Sequence, residues 1–290
     1  MMEKVTFTNA KGESVVISDA LPFQIVTITG LGDVEAEIQS QKSSYKDGSK
    51  FVNALMAERE IDVELLIEAE NYGTISKHRS KLTRVLNPKL GLGVLRYENE
   101  SITVEIDATI ESLPSFPDGN ENRGHRWQKA TVSFVCPDPY FRKGRKRDEI
   151  ALWLGAFEFP LEIPMDGLEF GYRSPSLIVN VVNEGHTETG MEIHFRALST
   201  VINPSLVNVN TQEYLRINKT MIPGETIIVN TTRGNKSVMS SVEGKIMRRL
   251  ELGSTFLQLE IGDNLFRYDA EKNLEQLEVT IYHTSKILGV

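Results

Sequence analysis

Cysteine, closely spaced histidine and long apolar runs are all scarce in this chain, and each scarcity excludes a class of protein. The 290 residues contain one cysteine, Cys136, so an internal disulfide and a zinc site built from several thiolates are both excluded. No apolar run approaches the roughly 18 residues needed to cross a bilayer. Residues 1–28 lack a basic start followed by an apolar core, so we expect no targeting segment and no membrane insertion. A reducing cytoplasm fits this pattern.

The charge balance is acidic, and the loops that bind phosphate are missing. Forty acidic against 32 basic side chains give a formal charge of −8, which disfavours general nucleic-acid binding. Gly30-Leu31-Gly32 and Gly91-Leu92-Gly93 each lack the later glycine of a phosphate-binding loop, and we interpret them as turns. No Gly-x-Ser-x-Gly motif is present either, so a hydrolase of that type is unsupported.

The remaining polar residues do not form a recognisable catalytic or metal site. No two histidines lie three to five residues apart, and we interpret His186 and His194, eight apart, as solvent-facing or locally hydrogen-bonded. Cys136 is interpreted as a small packed side chain rather than a nucleophile. Asp62 and Glu64 are interpreted as the wet face of a strand rather than a glycosidase pair. We therefore expect no enzyme activity, no cofactor and no metal.

Apolar and polar residues alternate with a period of two through most of the first half. In Glu60–Glu70, for example, Ile61, Val63 and Leu65 point to one side, as in a strand with one buried face. Such runs predict a β-rich unit of six or seven strands. The other runs are Gln24–Thr29, Val34–Gln41, Gly93–Tyr97, Ile102–Ile110 and Gln128–Val135.

One segment, Tyr72–Leu86, has helical spacing instead, and we predict a single helix over about residues 73–86. Thr74 or Ser76 is expected to cap its start, and Asn87-Pro88 to end it, because proline cannot continue the hydrogen-bond ladder. A lone helix among strands is expected to cover one face or one end of a sheet.

The pattern changes near residue 136. Cys136-Pro137-Asp138-Pro139 cannot lie in a central strand, and the basic run Arg142–Arg147 is interpreted as a solvated linker. We predict a first domain at 1–141, a linker at 142–160 and a second domain at 161–290. The second half contains short strands separated by turn signals, with no helix, which predicts a β-sandwich or jelly roll. The fold class is therefore mainly β.

The order of these features is distinctive. A strand and glycine turn at 24–32 precede a polar loop at Gln39–Lys50, the long strand Arg59–Glu70, the helix and a short strand at Gly91–Tyr97. The run Val132–Phe141 contains the motif Cys136, Pro137, Asp138, Pro139 and Tyr140. In this order the features resemble the siphophage tail-protein family that includes the distal tail proteins (Dit), in which such a motif closes the first domain. The second half is similar to the galectin-like β-sandwich of larger members.

This resemblance implies a structural virion protein of the tail tip or baseplate hub. It implies a hexameric ring that joins the tail tube to the adsorption apparatus and is assembled in the cytoplasm of the host bacterium. The implied partners are further copies of the chain, the tail tube protein, the tape-measure protein and receptor-binding proteins. An acidic lumen would let genome DNA pass without specific binding. The loops Gln39–Lys50 and Glu111–Trp127 are candidate arms for a neighbouring subunit, or else flexible surface loops.

A carbohydrate-binding, host-recognition role is the alternative, because lectin-like sandwiches stack sugars on exposed aromatic side chains. The sugar would then come from the host cell wall. The competing interpretation places most aromatic side chains of the second half in the core or linker. The main candidates for stacking are Trp153, Tyr172 and Tyr214, and the others are Phe157, Phe159, Phe170 and Phe195.

Overall fold

The structure is a computed structural model in which residues 3–150 and 177–290 are described in full, and 153–155 and 171–173 by their backbone alone. Contacts between Cα atoms divide the chain into two units. The first comprises Met1–Lys143 together with Ile287–Val290, and the second comprises Gly144–Lys286. The chain therefore ends in the first unit, a return that the sequence analysis did not predict.

The first unit contains ten strands before the chain passes into the second unit. They are β1 (Lys4–Thr8), β2 (Ser14–Ser18), β3 (Phe23–Thr29), β4 (Ala36–Lys42), β5 (Ser49–Met56), β6 (Arg59–Glu68), β7 (Gly93–Glu98), β8 (Thr103–Ile110), β9 (Trp127–Cys136) and β10 (Phe141–Arg142).

Seven of these strands close into a barrel. Their order is β8-β7-β1-β2-β3-β6-β9, and β9 pairs again with β8. The pairs are antiparallel except β2 with β3, which pair in parallel at Ser18 and Gln24. Closure removes free sheet edges, so the seven strands of the barrel satisfy most of their edges within the first unit.

Strand β6 shows how the sequence builds the barrel core. Arg59, Ile61, Val63, Leu65 and Ile67 are buried, and exposed or half-buried residues alternate with them. Burying a full Val, Leu or Ile side chain stabilises the fold by roughly 1.5–3 kcal/mol, so this face fixes the register of the strand. The period-two prediction for this segment is confirmed.

Among the described residues there is one α-helix, α1, which spans Tyr72–Val85 and is followed by a 3-10 turn at Pro88–Leu90. Its apolar side chains Leu82 and Val85 join the barrel core, as the spacing predicted. The predicted cap was wrong, because the side chain of Asn71, in extended backbone, accepts from the backbone N–H of Thr74 at 3.0 Å. Asn71 has the extended backbone that N-cap residues adopt, whereas Thr74 already lies inside the first turn.

Two loop predictions need correction. Half of Gln39–Lys50 is strand and the rest is the turn between β4 and β5, which pair with each other as a hairpin that bridges β3 and β6. Glu111–Trp127 is irregular but follows its own barrel, because Ser115 and Thr131 exchange backbone hydrogen bonds of 2.9 and 3.1 Å. Both segments stay candidate arms.

Besides a separate two-stranded sheet formed by Trp153–Gly155 and Gly171–Arg173, the second unit contains a sandwich of two antiparallel sheets. One has the order β11-β23-β15-β19-β20-β21, and the other has the order β14-β22-β16-β17 with β18 beside β16; the apolar side chains of both form one core. The strands are β11 (Lys146–Glu149), β12 (Trp153–Gly155), β13 (Gly171–Arg173), β14 (Ile178–Asn183), β15 (Met191–Ala197), β16 (Val201–Asn208), β17 (Tyr214–Arg216), β18 (Thr220–Met221), β19 (Thr226–Asn230), β20 (Ser237–Ser240), β21 (Gly244–Lys245), β22 (Gly262–Lys272) and β23 (Leu277–His283).

Strands β11 and β24 (Lys286–Ile287) were not predicted from the sequence. Strand β11 falls inside the predicted linker 142–160 and pairs with β23 in the sandwich. The last strand, β24 (Lys286–Ile287), lies beside β10 in the sheet of the first unit. Both 3-10 turns of the second unit, Met247–Arg249 and Leu274–Gln276, connect strands.

Candidate assembly surfaces

The junction motif leaves the barrel at the end of β9. Cys136 is the last residue of that strand and has no exposed surface. The carboxylate of Asp138 accepts from the backbone N–H of Tyr140 at 3.3 Å, which tightens the turn between the two prolines. Phe141 then enters the barrel core as the first residue of β10.

A buried arginine, Arg59, holds this turn in place. Its side chain is 1% exposed, and its Nε donates to the carbonyl oxygen of Pro139 at 2.9 Å. Its guanidinium carbon lies 4.7 Å from the centroid of the Phe141 ring, a cation–π distance. The sequence analysis missed this residue. The available signal was its position two residues before Ile61, on the apolar face of β6.

The other nitrogens of Arg59 join two further segments of the first unit. Its Nη1 donates to the carbonyl oxygens of Gly30 at 2.6 Å and Asp33 at 3.5 Å, and its Nη2 donates to that of Leu288. One side chain thus connects the junction turn, the base of the hairpin and the chain end. We call this set of contacts the Arg59 clamp.

Burial perturbs the ionisation of both side chains at this point. Desolvation lowers the pKa of Arg59, while the nearby Cys136 and Asp33 oppose the shift. Desolvation also raises the pKa of the Cys136 thiol to about 12. The thiol is therefore neutral at ordinary pH, which suits a packed side chain and not a nucleophile.

The hairpin β4–β5 presents an uncovered apolar face. Ala36 pairs with Met56, and Ile38 with Ala54, so these four side chains share a face that Phe51 extends beyond a bulge. Ile38 is 67% exposed and Phe51 is 63% exposed. Two isolated strands are marginally stable in water, and a contiguous exposed apolar surface commonly marks an interaction site.

The opposite face of the hairpin is mostly polar. Gln39 pairs there with Asn53, and Gln41 with Lys50, leaving Leu55 as the large apolar side chain on that side. The ribbon is therefore amphipathic although both faces are exposed. Sequence alternation alone would have placed the apolar face in a core.

The base of the hairpin is fixed to the barrel. Ala57 donates its backbone N–H to Glu35 at 2.9 Å, which continues the ladder below β4 and β5. Gly30 has a φ of +85°, and a Cβ at this position would lie 1.9 Å from the carbonyl oxygen of Glu60. Only glycine fits this approach, and the Arg59 clamp binds its carbonyl oxygen.

The aromatic residues predicted to stack on sugars fall into four groups. Phe195 was a wrong candidate, because it is fully buried on the inward face of β15. Tyr214 is half-buried, with the guanidinium carbon of Arg216 at 5.9 Å from its ring centroid. Trp153 and Tyr172 are described by their backbone alone, on strands that pair with each other. Phe157, Phe159 and Phe170 lie outside the described residues.

The side chains of the basic run Arg142–Arg147 make more contacts than the predicted solvated linker would. Arg142 forms a two-pronged salt bridge with Asp107, with both N–O distances 2.5 Å. In the second unit, Lys146 pairs with Glu184 at 2.7 Å, and Arg145 lies over the Tyr282 ring at 4.4 Å. These partners neutralise much of the run, so it offers a weak anion-binding surface.

The described residues do not form a metal site. Within residues 3–150 and 177–290, no three His, Cys, Asp or Glu side chains are grouped closely enough to hold an ion. His194 instead contacts Glu192 at 2.6 Å, and its ring centroid is 4.7 Å from that of Tyr282. No helix among these residues is long and apolar enough to cross a membrane.

Comparison with protein families matches both units. Residues 10–136 match the phage tail protein RIFT-related domain, and residues 184–286 match the C-terminal domain of the siphovirus-type tail component. Because these two matches span most of the chain, it belongs to the siphophage distal tail protein (Dit) family, and it is a component of a phage tail.

Solved structures show the same fold. The crystal structure of the Dit protein (gp 19.1) of phage SPP1, described as a paradigm of the hub adsorption apparatus in phages that infect Gram-positive bacteria, matches with a TM-score of 0.72 and 13% identity over 99% of both chains. A chain of the phage P2 baseplate in its activated conformation with Ca matches with a TM-score of 0.52 and 10% identity over the full length of both. The comparison with curated proteins found no match.

Proposed function

We propose that this chain forms a ring, a homo-hexamer, at the hub of a siphophage tail tip, and that the hairpin β4–β5 is the arm by which each subunit holds its neighbour. The observation that carries this proposal is the uncovered apolar face that contains Ile38, Phe51 and Met56. A surface of this kind at the end of an anchored ribbon fits a protein partner.

A second copy of the chain is the partner that best fits this face. Since the barrel closes most of its own strand edges, ring formation depends on a projecting element rather than on edge-to-edge pairing. A head-to-tail contact repeated by rotation closes into a ring. The arm of one subunit is then received by a different surface of the next.

Membership of the family supports a place at the tail tip. A ring at the tail tip would contact the tail tube protein and the tape-measure protein on one side and the receptor-binding proteins on the other. Each chain carries a formal charge of −8, and an acidic lumen would let genome DNA slide through without specific binding. In this role the chain acts as a structural connector and not as an enzyme.

The solution mass of the purified full-length chain tests the ring. Light scattering on a size-exclusion peak, with negative-stain imaging of the same fractions, is expected to give about six chains around a central hole. A chain that stays monomeric both alone and when mixed with its tail tube protein would overturn the proposal.

A further inference from the structure

A groove on the second unit is lined by polar side chains and by Phe256. It lies between the segment 255–260, the turn after β16 and the turn between β19 and β20. Its lining includes Asn208, Glu213, Phe256, Gln258 and Glu260. Of the described aromatic candidates from the sequence, neither Phe195 nor Tyr214 lines it.

Asn208 shows that the groove is built to meet a hydrogen-bonding ligand. The residue is 4% exposed, and its Oδ1 accepts from the backbone N–H groups of Asn210 and Thr211 at 2.9 and 3.2 Å. In the described part of the chain, no acceptor meets its Nδ2. This nitrogen is not one of the buried polar atoms without a partner, so it is open to the groove and can donate to a bound acceptor.

Acceptors line the same groove, and one of them, Glu213, lies in the same turn as Asn208 and accepts from the Thr211 hydroxyl at 3.3 Å. Glu213 and Glu260 form no salt bridge among the described residues, whereas Glu188 pairs with Arg233. Gln258 uses its Nε2 to donate to the Thr231 carbonyl at 2.8 Å, which leaves its Oε1 to accept. A ligand that complements this groove therefore carries several hydrogen-bond donors and at least one acceptor.

Hydroxyl groups meet both demands, because each is a donor and an acceptor at once. Three carboxylates in the lining oppose an anionic ligand, and the predominantly polar lining opposes an apolar one. Phe256 packs partly on the core and is half-buried, so it offers an apolar patch to the C–H face of a sugar ring. Lys236 lies 5.1 Å from the centroid of that ring, and its flexible side chain can shift when a ligand enters.

We infer that this groove is a binding site for a neutral carbohydrate with adjacent free hydroxyl groups. Asn208 would donate to a ring or hydroxyl oxygen, and Glu213, Glu260 and Gln258 would accept from hydroxyls. The site lies within one second unit and does not depend on ring formation.

Ligand-observed NMR on the full-length chain tests the site. The probes are maltotriose, cellotriose, N-acetylglucosamine trimer and a rhamnose-containing trisaccharide, each titrated to the millimolar range. Trilysine is titrated in the same way to test whether the groove binds a cationic ligand instead. At least one sugar is expected to bind. Asn208→Asp keeps the acceptor and the shape but removes the donor, and Glu213→Gln removes a charge at constant shape. Each is expected to weaken binding tenfold or more.

The matched control is Glu275→Gln, an exposed carboxylate outside the groove, which should bind like the original chain. Oligomeric mass measured on every variant separates loss of the sugar site from loss of the ring. Failure of all four sugars to bind, equal binding by Asn208→Asp, or binding of trilysine alone would each overturn the carbohydrate assignment.

Discussion

Arg59 and Pro139, 80 residues apart in sequence, are joined by a hydrogen bond of 2.9 Å from Nε to the carbonyl oxygen. The same guanidinium also binds the carbonyl oxygens at the hairpin base and near the chain end. A buried charge is normally costly, and here it is surrounded by carbonyl dipoles rather than matched by a carboxylate. The clamp thus links the exit from the barrel to the base of the proposed arm.

Replacing Arg59 by methionine should destabilise the first unit by about 2 kcal/mol or more, because several buried carbonyl oxygens lose their donor. Hydrogen exchange of the β6 and β9 amides, which reports opening of this unit alone, measures the effect. Arg84→Met is the control, since Arg84 is 67% exposed at its side chain and pairs weakly with Glu13; its expected change lies within about 0.5 kcal/mol. Equal protection in both variants would contradict a role for the clamp.

Cys136 should resist alkylation in the folded chain. With a pKa of about 12 the thiolate fraction at pH 8 is on the order of one in ten thousand, and the sulfur is also buried. We expect negligible labelling by iodoacetamide over an hour in buffer and complete labelling within minutes in urea. Mass spectrometry of both samples provides the comparison, and rapid native labelling would show that the end of β9 opens readily.

Gly30→Ala should cost more than about 1 kcal/mol, since a Cβ would clash with the Glu60 carbonyl and the φ of +85° disfavours any side chain. Gly32→Ala is the matched control. Its Cβ would meet no atom within 4 Å, and its φ lies outside the strained positive range. Unfolding in urea followed by circular dichroism would rank the variants, and equal midpoints would argue against a close approach at Gly30.

The sequence predicted those parts of the fold that follow from burial. Strand β6 alternates buried residues with exposed or half-buried ones, and the helix keeps its apolar residues on one face. In both elements the sequence pattern results from burial of one face against the core. The β-sandwich of the second half followed from short strands and regular turns in the same way. These predictions were confirmed because core packing determines both pattern and structure.

The assembly surface was harder to predict because its residues are exposed. In β4 and β5 every residue is exposed. The strand prediction Val34–Gln41 covered most of β4, but the polar residues from Gln39 to Lys50 predicted a loop where β4 ends and β5 begins. The Arg59 clamp was missed for another reason. The side chain of Arg59 donates its hydrogen bonds to backbone carbonyl oxygens, and every residue type carries such a group. The pattern of side chains therefore cannot predict these contacts. It also does not predict that the segment containing Leu288 belongs to the first unit.

Acid should weaken the second unit through His283. Its side chain is fully buried, Nε2 lies 3.0 Å from Asp148, and Nδ1 has no partner. Burial lowers its pKa below the ordinary 6.5, and Asp148 offsets this only in part, while Lys146 lowers the pKa further and Glu184 raises it. The unfolded chain therefore binds more protons, so stability should fall as pH drops below about 6.5 and level off below the folded pKa.

Urea midpoints at pH 7.5 and pH 5, compared between the original chain and His283→Gln, isolate this contribution. The variant should lose less stability over that interval, because glutamine does not titrate. An equal loss in both chains would assign the acid sensitivity to carboxylates such as Glu192, whose lowered pKa has the same sign of effect.

The apolar face of the hairpin should control assembly without affecting the fold. Phe51→Ser removes a side chain that is 63% exposed in the single chain, so the melting temperature of the monomer should change little. If a neighbour buries that ring, the loss per interface is roughly 1.5–3 kcal/mol, which raises the concentration at half-assembly at least tenfold. Asn53→Ser changes the opposite, polar face and should assemble normally. Mass photometry over a dilution series measures both, and coincident curves for the two variants would show that the partner does not cover this face.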